Sequence, residues 1–175
     1  MSYYQLAKIK SEISGTPPQV ANVFQKAYER DLNPNTIDID ANNKFIALQL
    51  NPENLLKFDD LIKDLNIDNI IFSTLDFENI IDYAFKNNIK IRHAETNLVD
   101  ENELEEFNEL IKKRNSGDLE KFLIKDNVDI NILELLFENT ILRIYDSGIF
   151  WIDREFSQSE SIPQLFFKSI LKAVV

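Results

Sequence analysis

The sequence predicts an α/β (or α+β) protein with a mixed sheet that has a parallel βαβαβ centre and a C-terminal antiparallel hairpin. Over residues 45–91, short apolar runs of strand length alternate with apolar stripes at helical spacing, the order typical of a parallel sheet with helical crossovers. The segment 140–153 contains two β-rich runs around an Asp-Ser-Gly loop at 146–148, which indicates a hairpin. Helices packed around this sheet complete a single globular domain over residues 1–175.

The composition is typical of a folded cytosolic protein. Of the 175 residues 44% are apolar, including 13 Phe, and a chain of this length can bury a core without disulfides. Since no apolar run reaches the length of a membrane span and the first residues lack the apolar stretch of a signal peptide, a cytoplasmic location is expected. The absence of Cys excludes thiolate metal ligands and cysteine nucleophiles. Three isolated Gly residues cannot form a phosphate-binding loop, so no cofactor is predicted.

Charge distinguishes the first thirty residues from the rest of the chain. The net charge is -11, from 30 acidic and 19 basic residues. Residues 1–30 contain four Lys and Arg residues against two Glu, so they carry +2 and residues 31–175 carry -13. An acidic body repels phosphate backbones and attracts basic molecules. This distribution argues against nucleic-acid binding and favours a basic protein partner.

The first part of the chain is predicted to contain two helices followed by a β-hairpin. Residues 3–13 are predicted as a short helix that Gly15 ends, and a second helix runs from Pro17 to Arg30. Together they form a helical hairpin over residues 1–30 that packs on the sheet domain. The runs TIDID and KFIALQL then read as two strands joined by a turn.

Helices and strands are predicted to alternate in the parallel region. Asn51 is expected to cap a helix that runs to Leu65, and the apolar run DNIIFST is expected to form a strand buried on both faces. Asp76 is the predicted N-cap of the next helix, with Leu75 and Ile80 as its hydrophobic staple. The strand IKIRHAE follows. The predicted buried stripe of the second helix is Phe77, Ile80, Ile81, Ala84 and Phe85.

Further helices are predicted on both sides of the C-terminal hairpin. Asp100 is the expected N-cap of a helix whose acidic residues precede its basic residues, an order that suits the helix dipole. Shorter helices are predicted near 119–124 and near 130–137. After the hairpin, Ser161 is expected to cap a last helix.

His93, the only histidine, is the first candidate for chemistry. In the strand IKIRHAE the two-residue period places His93 on the face of Ile91 and Glu95, at the C-terminal end where parallel sheets bind ligands. Helix caps and local hydrogen bonds explain the neighbouring polar residues better than a ligand site does, so His93→Ala is expected mainly to lower stability, by about 1 kcal/mol. The polar crescent at this sheet edge would contain Asn51, Ser73, Thr74, Asp76, His93 and Glu95.

Two alternative functions follow from these residues. Asp76, His93 and Glu95 would form an oxygen-rich site for Mg²⁺ or Mn²⁺, as in a phosphodiesterase or nuclease, although the acidic body lacks a positive track for such a substrate. The helical hairpin over residues 1–30 has the outline of a helix-turn-helix regulator of nucleic acid, but its second helix has few basic residues.

The leading functional prediction is a non-enzymatic acidic protein that binds and inhibits, or otherwise regulates, a basic protein partner such as a toxin, a nuclease or a defence effector. It rests on the -13 body and on the absence of a catalytic motif. Charge would steer such a partner and aromatic residues would anchor it. The predicted contact residues, chosen for charge density, are Asp100, Glu101, Glu103, Glu105 and Glu106.

Overall fold

An antiparallel sheet with helices on one face makes up the described part of the protein. The computed structural model describes residues 2–9, 37–40, 45–50, 67–137 and 140–153. Within these ranges eight strands form one sheet and three helices accompany it. Helices collected on one face of an antiparallel sheet define an α+β architecture.

The helices lie in the middle of the described sequence. The strands are β1 (Ser2–Ile9), β2 (Ile37–Asp40), β3 (Phe45–Leu50), β4 (Ile67–Asn69), β5 (Lys90–Thr96), β6 (Ile130–Phe137), β7 (Thr140–Tyr145) and β8 (Ile149–Ile152). The helices are α1 (Thr74–Lys86), α2 (Glu101–Lys113) and α3 (Ser116–Lys125). Accordingly, α1 connects β4 to β5, and α2 and α3 connect β5 to β6.

All strand pairs in the described ranges are antiparallel, and β1 has the most partners. The order across the sheet is β2-β3-β1-β8-β7-β6-β5, and β4 also pairs with β1. Along β1, residues 2–5 pair with β8 and residues 7–9 pair with β4, while β3 pairs with residues 3–8. The β6 and β7 strands connect this region to β5.

The predicted parallel βαβαβ centre is wrong. Two segments predicted as helices, 3–13 and 130–137, contain β1 and β6 instead. Because β1 pairs with β3 and β4, and β6 pairs with β5, the three strands expected to lie side by side each have an antiparallel partner from elsewhere in the chain. The first helix of the proposed helix-turn-helix is likewise replaced by a strand.

The composition of β6 explains why it was predicted as a helix. Leu133 and Leu135 are fully buried on the face toward the helices, while Ile132 and Leu136 are half-buried on the other face. A strand that buries apolar side chains on both faces loses the simple alternation of a half-exposed strand, so its sequence also fits a helical stripe.

Several locally encoded elements are confirmed. The two antiparallel hairpins β2–β3 and β7–β8 form as predicted, and so do α1, β5, α2 and α3 with nearly the predicted bounds. The predicted strand DNIIFST is reduced to the three-residue β4, which lies nearer the N-terminus. The predicted helices over 17–30, over 51–65 and after Ser161 lie outside the described residues.

The core lies between the helices and one face of the sheet. The predicted stripe of α1 is buried at four positions, with Phe85 only partly buried. The rings of Phe107 in α2 and Phe122 in α3 lie 6.2 Å apart between centroids. The sheet contributes Leu6, Leu133, Leu135, Leu142, Ile144, Phe150 and Ile152 to this core.

The turn between β7 and β8 packs closely on the segment after β4. Gly148 has φ 78°, and a Cβ at this position would lie 1.9 Å from the carbonyl oxygen of Ile70. The amide of Phe72 donates to the carbonyl of Asp146 at 2.7 Å, and the amide of Leu6 donates to the carbonyl of Gly148 at 3.0 Å. Only glycine meets both the conformational and the steric requirement at this position.

Candidate functional site

The three helices α1, α2 and α3 form a layer on the sheet, called here the helical layer, and this layer is acidic. There are three acidic side chains and one basic side chain in α1, and five acidic and two basic ones in α2. In α3 there are two of each. Acidic residues therefore outnumber basic residues two to one in this layer. The layer has two acidic features, the start of α2 and a groove between α1 and α3.

Asp100 caps α2, as predicted. Its Oδ1 accepts hydrogen bonds from the amides of Asn102 at 2.9 Å and Glu103 at 3.2 Å. Carboxylates at a helix N-terminus also interact favourably with the helix dipole. Capping and the helix dipole therefore account for part of the acidic start of α2.

The remaining acids of α2 differ in their neighbours. Glu109 receives a 2.8 Å hydrogen bond from Lys112, which lowers the pKa of Glu109. By contrast, Glu101, Glu105 and Glu106 are exposed, and within the described ranges none of them forms an ion pair. These three are the predicted contact acids whose charge is available to a partner.

An open groove of about 360 Å³ separates the first two turns of α1 from the start of α3. Residues of α1 spaced three and four apart form one wall, because such residues share a helix face. Its apolar base comes from Ile81 and Leu119, which are almost completely buried. The groove is lined by Leu75, Glu78, Asn79, Ile81, Asp82, Ser116, Gly117, Leu119 and Glu120.

The turn between α2 and α3 is attached to the end of α1. Arg114, which has φ 54°, donates from Nη2 to the carbonyls of Ala84 at 2.8 Å and Ile89 at 3.0 Å. Its guanidinium lies 5.6 Å from the ring centre of Phe85. These bonds satisfy backbone acceptors near the end of α1, where a cation is favourable.

The charges in the groove are unevenly compensated. Asp82 accepts a hydrogen bond from Lys86 and another, of 2.7 Å, from the hydroxyl of Ser116, and these bonds lower its pKa. The pKa of Glu78 is raised, first by partial burial and then by repulsion from Glu120 and Asp82. No basic side chain in the described ranges pairs with Glu78 or Glu120.

His93 lies on the outer face of the sheet, the face turned away from α1, α2 and α3, which corrects the predicted position. Ile91 lies opposite Leu135 and His93 lies opposite Glu134, so Arg92 is an extra residue in β5. Such a bulge reverses the side-chain alternation beyond it. The apolar face of β5 therefore does not continue to His93.

The predicted polar crescent is not assembled. His93 Nε2 lies 3.6 Å from Glu95 Oε1, and both side chains are more than half exposed. Asp76 instead lies in the first turn of α1, where its Oδ2 accepts from the amide and hydroxyl of Ser73, both at 2.7 Å. Asn51 lies outside the described residues. Across the described ranges no three His, Asp or Glu side chains are placed to hold a metal ion.

The start of α1 lies three residues before the predicted cap. Ser73 is the N-cap, and Asp76 is the third helical residue of a complete capping box. The hydrophobic staple accordingly moves to Phe72 and Phe77, whose ring centroids are 5.8 Å apart. The predicted staple residue Leu75 is 63% exposed at the edge of the groove.

Thr74 connects the start of α1 to the sheet. Its Oγ1 lies 3.3 Å from Oδ1 of Asp129, just before β6. The amide of Asp129 in turn donates to Oδ1 of Asn97 at 2.9 Å, just after β5. These contacts hold neighbouring segments together, so they give Thr74 a structural role.

A polar row on the outer face was not predicted. Glu134 of β6 lies opposite Arg143 of β7, which lies opposite Trp151 of β8, which lies opposite Tyr3 of β1. Arg143 donates from Nε and Nη2 to Glu134 Oε2 at 3.0 and 2.6 Å. Its guanidinium lies 5.3 Å from the Trp151 ring centre, and Arg92 Nε lies 3.5 Å from Glu134 Oε1.

The charged side chains of this row pair with one another. Two hydrogen bonds raise the pKa of Arg143. The larger contribution comes from the bond to Glu134 and the next from the bond to Tyr145. Ion pairing with Arg143 and Arg92 offsets the cost of burying the Glu134 carboxylate. The row's members come from four strands, β6 among them, so the row does not form if residues 130–137 are a helix.

No known protein family, curated protein or solved structure matches this chain. Among the described residues, no helix is both long and apolar enough to cross a lipid bilayer. The helical layer gives the strongest functional indication in the described residues, because its exposed carboxylates and open groove can bind cationic groups.

Proposed function

We propose that this chain is a non-enzymatic binding protein that binds and inhibits, or otherwise regulates, a basic protein partner through its helical layer. The observation that supports the proposal is the uncompensated carboxylate charge on two sides of that layer. In α2 it comes from Glu101, Glu105 and Glu106, and at the groove it comes from Glu78 and Glu120.

The net charge of the whole chain strengthens the effect of this layer. At -11 the protein attracts a basic molecule over roughly the Debye length, about 10 Å at 0.1 M salt. Such steering raises association rates and disfavours acidic partners. The local carboxylates then orient the partner on the helices.

Affinity capture from native cells, at low and high salt, tests the proposal. The helical variant combines Glu78→Gln, Glu105→Gln and Glu120→Gln. The charge-matched control combines Asp68→Asn, Glu95→Gln and Asp146→Asn, which lie in β4, in β5 and in the β7–β8 turn. Each variant removes three negative charges. Comparing the two variants therefore separates the effect of charge on the helical layer from the effect of the net charge of the molecule.

The parent and the control are expected to capture the same basic protein, and the helical variant is expected to lose it. Capture should also fall at about 0.5 M salt, where the Debye length is only a few ångströms. The purified partner should then lose activity when this chain is added. Absence of a basic partner, or equal capture by both variants, would contradict the proposal.

A further inference from the structure

We propose that the groove between α1 and α3 is the docking site for a basic peptide segment of the partner. In this arrangement a Lys or Arg side chain lies between Glu78 and Glu120, and the backbone of the segment passes over Gly117. This inference rests on the proposed function and names the site and the chemistry of the segment.

The negative charges on the two walls of the groove favour a positively charged side chain in the bound segment. Glu78 belongs to α1 and Glu120 to α3, so negative charge faces the groove from both sides. Their mutual repulsion contributes to the raised pKa of Glu78. A cation placed between them would relieve that repulsion, whereas the nearby Asp82 already has Lys86 and Ser116 as partners.

Apolar surface beside these charges favours an apolar residue in the bound segment. Leu75 is 63% exposed at the edge of the groove, so its side chain presents apolar surface beside the carboxylates. Ile81 and Leu119 form the base beneath it. A segment with an apolar residue next to its Lys or Arg would cover Leu75 while it pairs with the carboxylates.

Gly117 leaves space at this wall of the groove for the backbone of the segment. It is the second residue of α3, in the first turn of the helix, and lines the groove without a side chain. Unlike Gly148, it has no positive φ, and an added Cβ would meet only Asn115 Oδ1, at 3.8 Å. Because glycine has no side chain, this wall allows another backbone to approach closely.

Fluorescence anisotropy with a short labelled peptide of Lys and Leu residues tests the site, using the full chain. Glu78→Gln with Glu120→Gln removes the wall charges. Glu95→Gln with Asp146→Asn removes the same charge outside the three helices. Gly117→Gln fills the groove without changing charge. An analogue with Glu in place of Lys tests the need for a cation.

The Glu78/Glu120 variant is expected to bind the peptide about five- to tenfold more weakly, from the loss of two exposed charge contacts. The Glu95/Asp146 variant should change affinity less than about twofold. Gly117→Gln should weaken binding at least about fivefold with no fall in the melting temperature, a combination that loss of folding cannot produce. In a carboxylate NMR titration, the bound peptide should lower the pKa of Glu78.

The outcomes separate the site from the general function. If the Glu95/Asp146 variant loses as much affinity as the Glu78/Glu120 variant, or if Gly117→Gln binds like the parent, the groove is not the site, although binding of basic partners still stands. If the parent fails to bind the peptide, or binds the Glu analogue equally well, the groove proposal is overturned, while the proposed function still depends on whether a basic partner is captured.

Discussion

Two glycines with different surroundings show how single residues act in this fold. Gly148 has a positive φ and lies against the carbonyl of Ile70, whereas Gly117 has neither restriction. The first glycine is therefore needed for folding. The second is available for another role, which agrees with its place in the groove.

Gly148→Ala is expected to lower the free energy of unfolding by about 2–4 kcal/mol, because it adds left-handed strain and a clash with Ile70. Gly117→Ala is the matched control and should leave stability unchanged or raise it by up to about 1 kcal/mol. Urea denaturation measures both. Equal losses in the two variants would show that close packing at Gly148 is not the cause.

Glu134 and His93 face one another across β5 and β6 and should respond differently to removal. Glu134→Ala leaves the half-buried Arg143 without its carboxylate and is expected to lower stability by about 1–2 kcal/mol. His93→Ala should change stability by less than about 0.5 kcal/mol, since its side chain is 57% exposed. Chemical denaturation of both variants tests this, and a larger loss for His93→Ala would contradict the assigned faces.

At the scale of secondary-structure elements, the start of α1 depends on a cap and a staple that act together. Ser73 and Asp76 satisfy the free amides of the first turn, while Phe72 packs on Phe77. Both features lie three residues before their predicted positions. This shift moves Leu75 from the core to the edge of the groove.

Ser73→Ala is expected to lower the free energy of unfolding by about 1 kcal/mol, because the capping box loses its hydroxyl. Leu75→Ala, at the residue first expected to form the staple, should cost less than about 0.5 kcal/mol since this side chain is exposed. Thermal or urea unfolding distinguishes the two. The reverse order of effects would favour the predicted cap at Asp76.

On the scale of the whole molecule, excess negative charge opposes folding while it favours a basic partner. A chain at -11 repels itself, and this repulsion is concentrated where carboxylates face one another. Glu78 is such a place, whereas Glu109 has Lys112 beside it. The two carboxylates should therefore affect stability with opposite signs.

Glu78→Gln is expected to raise stability at pH 7 and low salt by a few tenths of a kcal/mol, a small value because the group is largely exposed and screened. A raised pKa in the folded state means that ionised Glu78 destabilises the fold above that pKa. Its contribution becomes favourable below the ordinary glutamate pKa, so the advantage of Gln should disappear as pH falls. Added salt should also reduce it.

Glu109→Gln is the matched control and should lower stability at pH 7 or leave it unchanged, because the pKa of Glu109 is lowered by Lys112. That favourable contribution exists above the ordinary glutamate pKa and is lost as pH falls through the folded value. Denaturation series across pH and salt compare the two variants. Changes of the same sign would contradict the uneven compensation of charge in the helical layer.

The sequence by itself determined the elements whose signals are local. The buried stripe of α1, the Asp100 cap of α2 and the glycine turn between β7 and β8 each depend on residues within a few positions of one another. The excess of acidic residues, which underlies the proposed function, was also evident from composition.

Only the tertiary structure decided how the strands pair and which side chains meet. The segments of β1 and β6 fit either a helix or a strand, and partners distant in sequence, β3 for β1 and β5 for β6, favour the strand. The extra residue Arg92 then places His93 on the outer face, because one residue of register reverses every side chain beyond it. The groove likewise depends on how α1 packs against α3, and its acids are separated by about forty residues. Such contacts form between distant segments, so no short stretch of sequence contains the information that places them.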